Sequence, residues 1–235
     1  MAEAIYFHQT RVDGRVVKLI GIVHPLILPI DRLKAKRILE LIAPADVILT
    51  ESKKILPKSL VAKARIVDCR VAEKAARDFY SARVEAGEER ADVLKTIYSE
   101  LKRTIFPIEL KVKPMPGIAR LGKATDKSPK LHASKKEIEE FEELVVSLRS
   151  FIMLSKLLQK HFSIRNEEKT LVLVAGLAHT IQLTCFLDKR KCFSSYAARL
   201  SKLANKLGIL RGQTRKHLLK EVRLALRNGR RAGLV

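Results

Sequence analysis

Thr170-Leu-Val-Leu-Val-Ala175 is an unbroken apolar run of strand length, and it constrains the fold of this chain more than any other segment. A strand with no polar face must be covered on both sides, and sheets built from such strands usually carry helices on each face. The run Asp46-Val-Ile-Leu-Thr-Glu51 has the same character. An α/β fold is therefore expected, with a central mixed sheet and helices on both faces.

The remaining segments arrange themselves around that sheet. Ile5 to Thr10 and Arg15 to Val23 are β-rich runs flanking Val12-Asp13-Gly14, and Asp-Gly between two such runs predicts an N-terminal β-hairpin. From Asp31, an N-cap candidate, Leu33, Ile38, Leu41 and Ile42 keep near-helical spacing until Pro44. Ala64 to Cys69 reads as a further short strand, followed by a polar helical stretch from Val71 to about Ile105 with a weak point at Gly87. Residues 106–134 carry Pro107, Pro114, Pro116 and Pro129 and read as a loop or extended arm, so about 71–134 forms a helical insertion. Ser134 and Glu137 then make a capping box, after which Ile138, Phe141, Val145, Leu148 and Ile152 recur at helical spacing.

Charge divides the chain at Asp188. Residues 188–235 hold fourteen Lys and Arg against two acids, Asp188 and Glu221, about half of the formal net charge of +22. Tyr196, Leu200, Leu203 and Leu207 share one helical face, as do Leu218, Val222 and Leu226, so two basic amphipathic helices are expected after a 1–187 α/β domain. Such a field favours nucleic acid, another polyanion or an anionic membrane face as a partner, and says nothing about fold.

Other classes are disfavoured. Hydrophobic residues at 47% and a mean hydropathy of −0.03 fit a globular protein. No stretch approaches the roughly 18 uninterrupted apolar residues of a transmembrane helix, and the opening residues lack a signal pattern, so a soluble cytoplasmic protein is expected. Cys69, Cys185 and Cys192 are an odd number in a chain too large to need staples, and read as free thiols in a reducing compartment. Gly117 to Lys123 has the glycine spacing of a phosphate-binding loop, but Ala124 replaces the Ser or Thr, and Pro129 opposes the required helix.

The residues that suggest chemistry end strands. Gly21-Ile-Val-His24 closes one strand and Gly176-Leu-Ala-His179 closes another, while Glu51 and Asp68 end two more. Ligands of open α/β sheets collect beyond the carboxyl ends of strands, where glycine lets the chain turn and a polar side chain face the cleft. Two imidazoles and a carboxylate can hold Zn²⁺ or a similar divalent ion and activate water for amide or ester hydrolysis. Without metal, one histidine could act as general base and the other be oriented by Glu51 or Asp68. Each could equally do no more than satisfy a loop. Arg149, on the capping-box helix, could reach the cleft to bind a carboxylate or steady an oxyanion, or lie on the helix flank in water.

The segments LIGIVH, VILTES, VDCR, LRSFIML and LVAGLAH, in that order, resemble the TraB/PrgY family, associated with pheromone shutdown and grouped with the TIKI metalloproteases and the erythromycin esterases. The resemblance spans roughly 16–187. It implies a metal-dependent hydrolase with Zn, Mn or Co, acting on a peptide or ester. The paired G-x-x-H motifs imply His24 and His179 as metal ligands, with Glu51 as third ligand or base. The family's D-x-R element is similar to Asp68 and Arg70, and its R-x-x-x-M helix to Arg149 and Met153. Ile22 and Ala178 stand where the family usually has Thr and Gly. The competing expectation is a non-catalytic scaffold of this type whose basic tail, 188–235, grips nucleic acid or another polyanion. Aromatics at 5% with no tryptophan fit contact to a backbone better than stacking on single-stranded bases.

Overall fold

The computed structural model describes residues 5–22, 32–43, 45–67, 70–87, 146–164, 169–189, 193–198, 210 and 212–234. Strand β1 (Ile5–Val12) turns at Asp13 and Gly14 into β2 (Arg15–Ile22). Both turn residues have positive φ, 48° and 80°, as a two-residue hairpin turn that follows the right-handed strand twist requires. Helix α1 (Arg32–Ile42) leads to β3 (Val47–Thr50), a 3₁₀ turn at Lys53–Ile55, the short α2 (Lys58–Val61), β4 (Arg65–Ile66) and α3 (Arg70–Glu85). After the insertion come α4 (Leu148–Ser163), β5 (Leu171–Gly176), α5 (Leu177–Asp188), a helical turn at 193–198 and α6 (Gly212–Arg231).

The sheet order is β1-β2-β5-β3-β4, antiparallel between β1 and β2 and parallel elsewhere. The fold class is thus α/β with a mixed five-stranded sheet, an N-terminal hairpin and a C-terminal helix. All six residues of β5 are buried, because it sits at the centre. Strand periodicity sends Val17, Leu19, Leu49, Leu171, Leu173 and Ala175 into one core with α3, α4, α5 and α6, while Ile20, Ile22, Ile48, Val172 and Val174 meet α1 and the Ile55–Ala64 segment on the other face. Glu51 has the parity of Val47 and Leu49 and so leaves β3 on the α4 side.

The basic helix α6 packs on α4 and α3. Leu218 and Ala225 enter the core, Asn228 Nδ2 donates to the Ser155 carbonyl at 3.1 Å, Thr214 Oγ1 donates to Asp78 at 2.9 Å, and Glu221 pairs with Lys156 at 3.0 Å. Before it, Phe193 stacks on Phe151 at 5.2 Å and Tyr196 lies 5.4 Å from the same ring.

Three local expectations need correction. Cys185 is disulfide-bonded, so reading all three cysteines as free thiols in a reducing compartment fails. Gly21 makes no turn: it lies within β2, opposite Tyr6 and Ala175, and a Cβ there would meet Thr180 Cβ at 3.0 Å and Tyr6 Cβ at 3.1 Å. The missing side chain is what lets α5 sit close to the strand. Gly176 has φ −59° and ψ 145°, which any residue adopts. The Ser134 capping box, the proline-rich arm, the Gly117–Lys123 loop and the Leu200–Leu207 stripe lie outside the described residues. Among the described residues no helix is long and apolar enough to cross a membrane.

Candidate functional site at the carboxyl end of the sheet

Glu51 is held by its backbone before its side chain does anything. Thr50 pairs with Val174, and the Glu51 N–H continues that ladder by donating to the Val174 carbonyl at 3.0 Å. The carboxylate then reaches across the end of β5. Its Oε2 accepts from the Gly176 N–H at 2.9 Å, at the start of α5, where the helix dipole favours negative charge. Its Oε1 accepts from Arg149 Nη2 at 2.7 Å. The pair is mostly shielded, with 16% of the Arg149 side chain and 11% of Glu51 exposed, so the attraction is stronger than at an open surface.

His179 completes the cluster from the first turn of α5. Its Nε2 lies 3.6 Å from Glu51 Oε1, and its Nδ1 lies 2.9 Å from Ser150 Oγ. Ser150 sits on α4 beside Arg149 and donates back to the Val146 carbonyl at 3.0 Å. With the hydroxyl proton so placed, Nδ1 is the donor to Ser150; a neutral Nε2 then has its lone pair for a metal or a proton, whereas a protonated Nε2 faces Glu51 as a cation, and in either state the Ser150 bond fixes the ring's orientation. One turn along, Gln182 Nε2 donates to Ser147 Oγ at 2.6 Å and makes a parallel rung between α5 and α4.

Serine, histidine and glutamate in a chain invite comparison with a nucleophilic triad. Ser150 is fully buried in the first turn of α4 with its proton directed to a backbone carbonyl, so no substrate reaches it. It positions His179.

The structure therefore brings together Glu51, Arg149 and His179. His24, two residues past the end of β2, and Asp68 lie outside the described residues, as does the side chain of Arg70, the first residue of α3. Met153 is buried in the core on α4. Ser150 and the Gly176 N–H went unnoticed in sequence; the available signal was a serine next to Arg149 in a helix whose inward positions are otherwise mostly apolar.

A divalent ion can be tested against these donors. Two ligands at about 2.0–2.2 Å around a tetrahedral ion stand about 3.4 Å apart. The observed 3.6 Å between His179 Nε2 and Glu51 Oε1 suits neighbouring ligands, and Ser150 supplies the outer hydrogen bond such an imidazole needs. Among the described residues no group of three or more His, Cys, Asp or Glu is placed to hold a metal, and the expected third donor is His24. Arg149 holds the same Glu51 oxygen. The two donors fit, provided that Arg149 yields or shares Oε1.

Comparison with family models, curated proteins and solved structures finds no match to this chain.

Proposed function

We propose that this chain is a metal-dependent hydrolase of the TraB/PrgY type, acting on a peptide or ester at the carboxyl end of the sheet. The observation that carries the reading is Glu51, whose two carboxylate oxygens face Arg149 and the Gly176 N–H, with His179 3.6 Å away. Three chemically distinct groups meet where α/β sheets bind ligands. His179, Glu51 and His24 would hold the ion, Zn, Mn or Co, which when bound supplies Lewis acidity to the scissile carbonyl. Ser150 keeps the His179 ring in one orientation. Arg149 offers a guanidinium to a substrate carboxylate or a developing oxyanion, and Glu51 serves either as third ligand or as the base that accepts a proton from the attacking water. Asp68 and Arg70 enter through the family resemblance alone, as its D-x-R element.

Metal content tests the reading. Protein purified without chelator should carry about one divalent ion per chain, and a His24→Ala, His179→Ala double variant should lose it while keeping its circular dichroism. Equal metal in both, or none in either, overturns the metal-dependent reading.

A second reading is favoured by α6, which turns its cations outward from a buried apolar side. In it the fold is a non-catalytic scaffold and the basic segment 188–235 binds nucleic acid or another polyanion. Its signature is salt-sensitive binding that survives loss of His24 and His179.

A further inference from the structure

Helix α6 has a geometry that a merely basic segment lacks. Thr214, Leu218 and Ala225 are buried, and at about 100° per residue they fall on one line of the helix. Lys216, Lys220, Arg223, Arg227 and Arg230 follow spacings of four, three, four and three, are all exposed, and fall within an arc of about 80° diametrically opposite that line. Arg215 and Arg231 flank them. The helix's one acid, Glu221, sits towards the inward side and pairs with Lys156, so no carboxylate on α6 offsets the stripe.

Like charges at this spacing repel, and a free helix carrying them would be weakened. Here the inward contacts of Asn228, Thr214, Leu218 and Ala225 fix the helix on α4 and α3, so the cations stand on a rigid rod. From Lys216 to Arg230 the stripe is about 21 Å long.

We propose that the outward face of α6 is a nucleic-acid-binding surface on which Lys216, Lys220, Arg223, Arg227 and Arg230 track the phosphates of a double helix. The inference rests on the second reading above and is independent of the cleft. A duplex carries one phosphate per about 1.7 Å of axis over its two strands, so about 21 Å spans about twelve, more than the five cations of the stripe need. The stripe is made of cations alone, whose contacts to phosphate oxygens carry no sequence information, so the binding is sequence-independent. Single strands are bound by stacking on aromatics, and among the described residues the one large exposed aromatic is Phe7, on the far edge strand. An anionic bilayer would engage an amphipathic helix through its apolar side, and the apolar side of α6 is already inside the core.

The experiment uses the full chain, with duplex RNA, duplex DNA, a single strand of the same sequence and anionic phospholipid vesicles as separate probes. Five phosphate contacts give a slope of about −4.5 in log K against log salt, a loss of about 500-fold between about 50 and 200 mM. Changing Lys216, Lys220, Arg223, Arg227 and Arg230 to Gln should remove most of that slope and weaken duplex binding at least a hundredfold at the lower salt. A control variant changes Lys53, Lys54, Lys58, Lys63 and Arg65 to Gln, the same change in net charge at exposed sites around β4, and should stay within about tenfold of the parent. RNA and DNA duplexes binding alike supports backbone contact to either source. Equal weakening in both variants would overturn the site in favour of a diffuse field, and preference for the single strand or the vesicles would overturn the duplex assignment. Binding untouched by the α6 changes sinks this inference and leaves polyanion binding standing, whereas no binding to any probe at low salt sinks both. Circular dichroism of each variant confirms folding.

Discussion

Arg149 and Glu51 set the energetics of the crevice, because they form its shortest charge pair and both are mostly shielded from water. Removing one partner of a shielded pair costs about 3–5 kcal/mol, and the residual exposure of both side chains places this pair at the lower end. Arg149→Leu is therefore expected to destabilise the protein by about 3 kcal/mol in urea unfolding, and Arg149→Lys, which keeps the charge and loses the planar fork, by less. A loss under about 1 kcal/mol for Arg149→Leu would show that water, not Arg149, balances Glu51. Ser150→Ala tests the positioning role: the vacated hydrogen bonds of His179 and Val146 should cost about 1–3 kcal/mol, and metal affinity should fall about 10–100-fold with no ligand touched. Unchanged affinity would reduce Ser150 to packing. His161 answers to pH instead. It is 1% exposed at the end of α4, and neither ring nitrogen has a hydrogen-bond partner among the described residues; burial chiefly, then the Arg15 guanidinium, lowers its pKa below 6.5, with Asp13 opposing and Arg231 adding. The unfolded chain thus binds this proton more readily, so the stability His161 allows is complete above pH 6.5 and is lost as pH falls through that value towards the lower folded pKa. His161→Leu should flatten the fall in melting temperature between about pH 7.5 and 5.5, by at most about 1.4 kcal/mol per pH unit; an unchanged pH profile would remove His161 as its source.

At the scale of elements, helix–helix and helix–strand approach is governed by two glycines where a Cβ would be crowded, by backbone-proximal atoms at Gly21 and by a ring at Gly229. Gly21 lets α5 settle on β2, whereas Gly229 in α6 lies against the Phe193 ring, which a Cβ would strike. Alanine normally favours a helix over glycine by about 1 kcal/mol, but overpacking a ring held by Phe151 and Phe186 costs about 1–3 kcal/mol. Gly229→Ala should destabilise, and should cost markedly less in a Phe193→Leu background; additive losses would mean that the ring moves aside freely. The same elements show what local pattern reveals. The hairpin, β3, β5 and the part of the helical stripe at Leu148 and Ile152 were legible because turn chemistry and periodicity act within a few residues, and Glu51 and His179 because each follows closely on a readable strand. The insertion of β5 between β2 and β3 was not legible: it depends on which crossovers the helices take, a choice fixed by packing between segments more than 100 residues apart. Ser150 was hidden for the same reason, since its partner is on another helix.

For the molecule as a whole, the question is whether the basic C-terminal segment is an appendage or part of the core, and two opposing effects decide it. Removing 188–235 takes away fourteen cations and two acids, lowering the formal net charge from +22 to +10, which relieves repulsion in the compact state. Those charges are mostly exposed and screened beyond about 8–10 Å at ordinary ionic strength, so the relief is small. Against it stands packing. The truncation strips Phe193 and Tyr196 from Phe151, and Leu218, Ala225 and Leu234 from the core on the α4 side of the sheet. Losing one buried aromatic costs about 3–5 kcal/mol, and a domain of this kind has about 5–15 kcal/mol in total. Two aromatics and a leucine together match that margin, so packing wins. Residues 1–187 alone are expected to give a non-cooperative urea transition with weak near-ultraviolet dichroism, and adding the 188–235 fragment should restore both, because the interface it rebuilds is a domain core cut in two. A cooperative transition in 1–187 by itself, at a midpoint near that of the full chain, would show that the sheet and its remaining helices suffice and that α6 is an ornament on a finished domain.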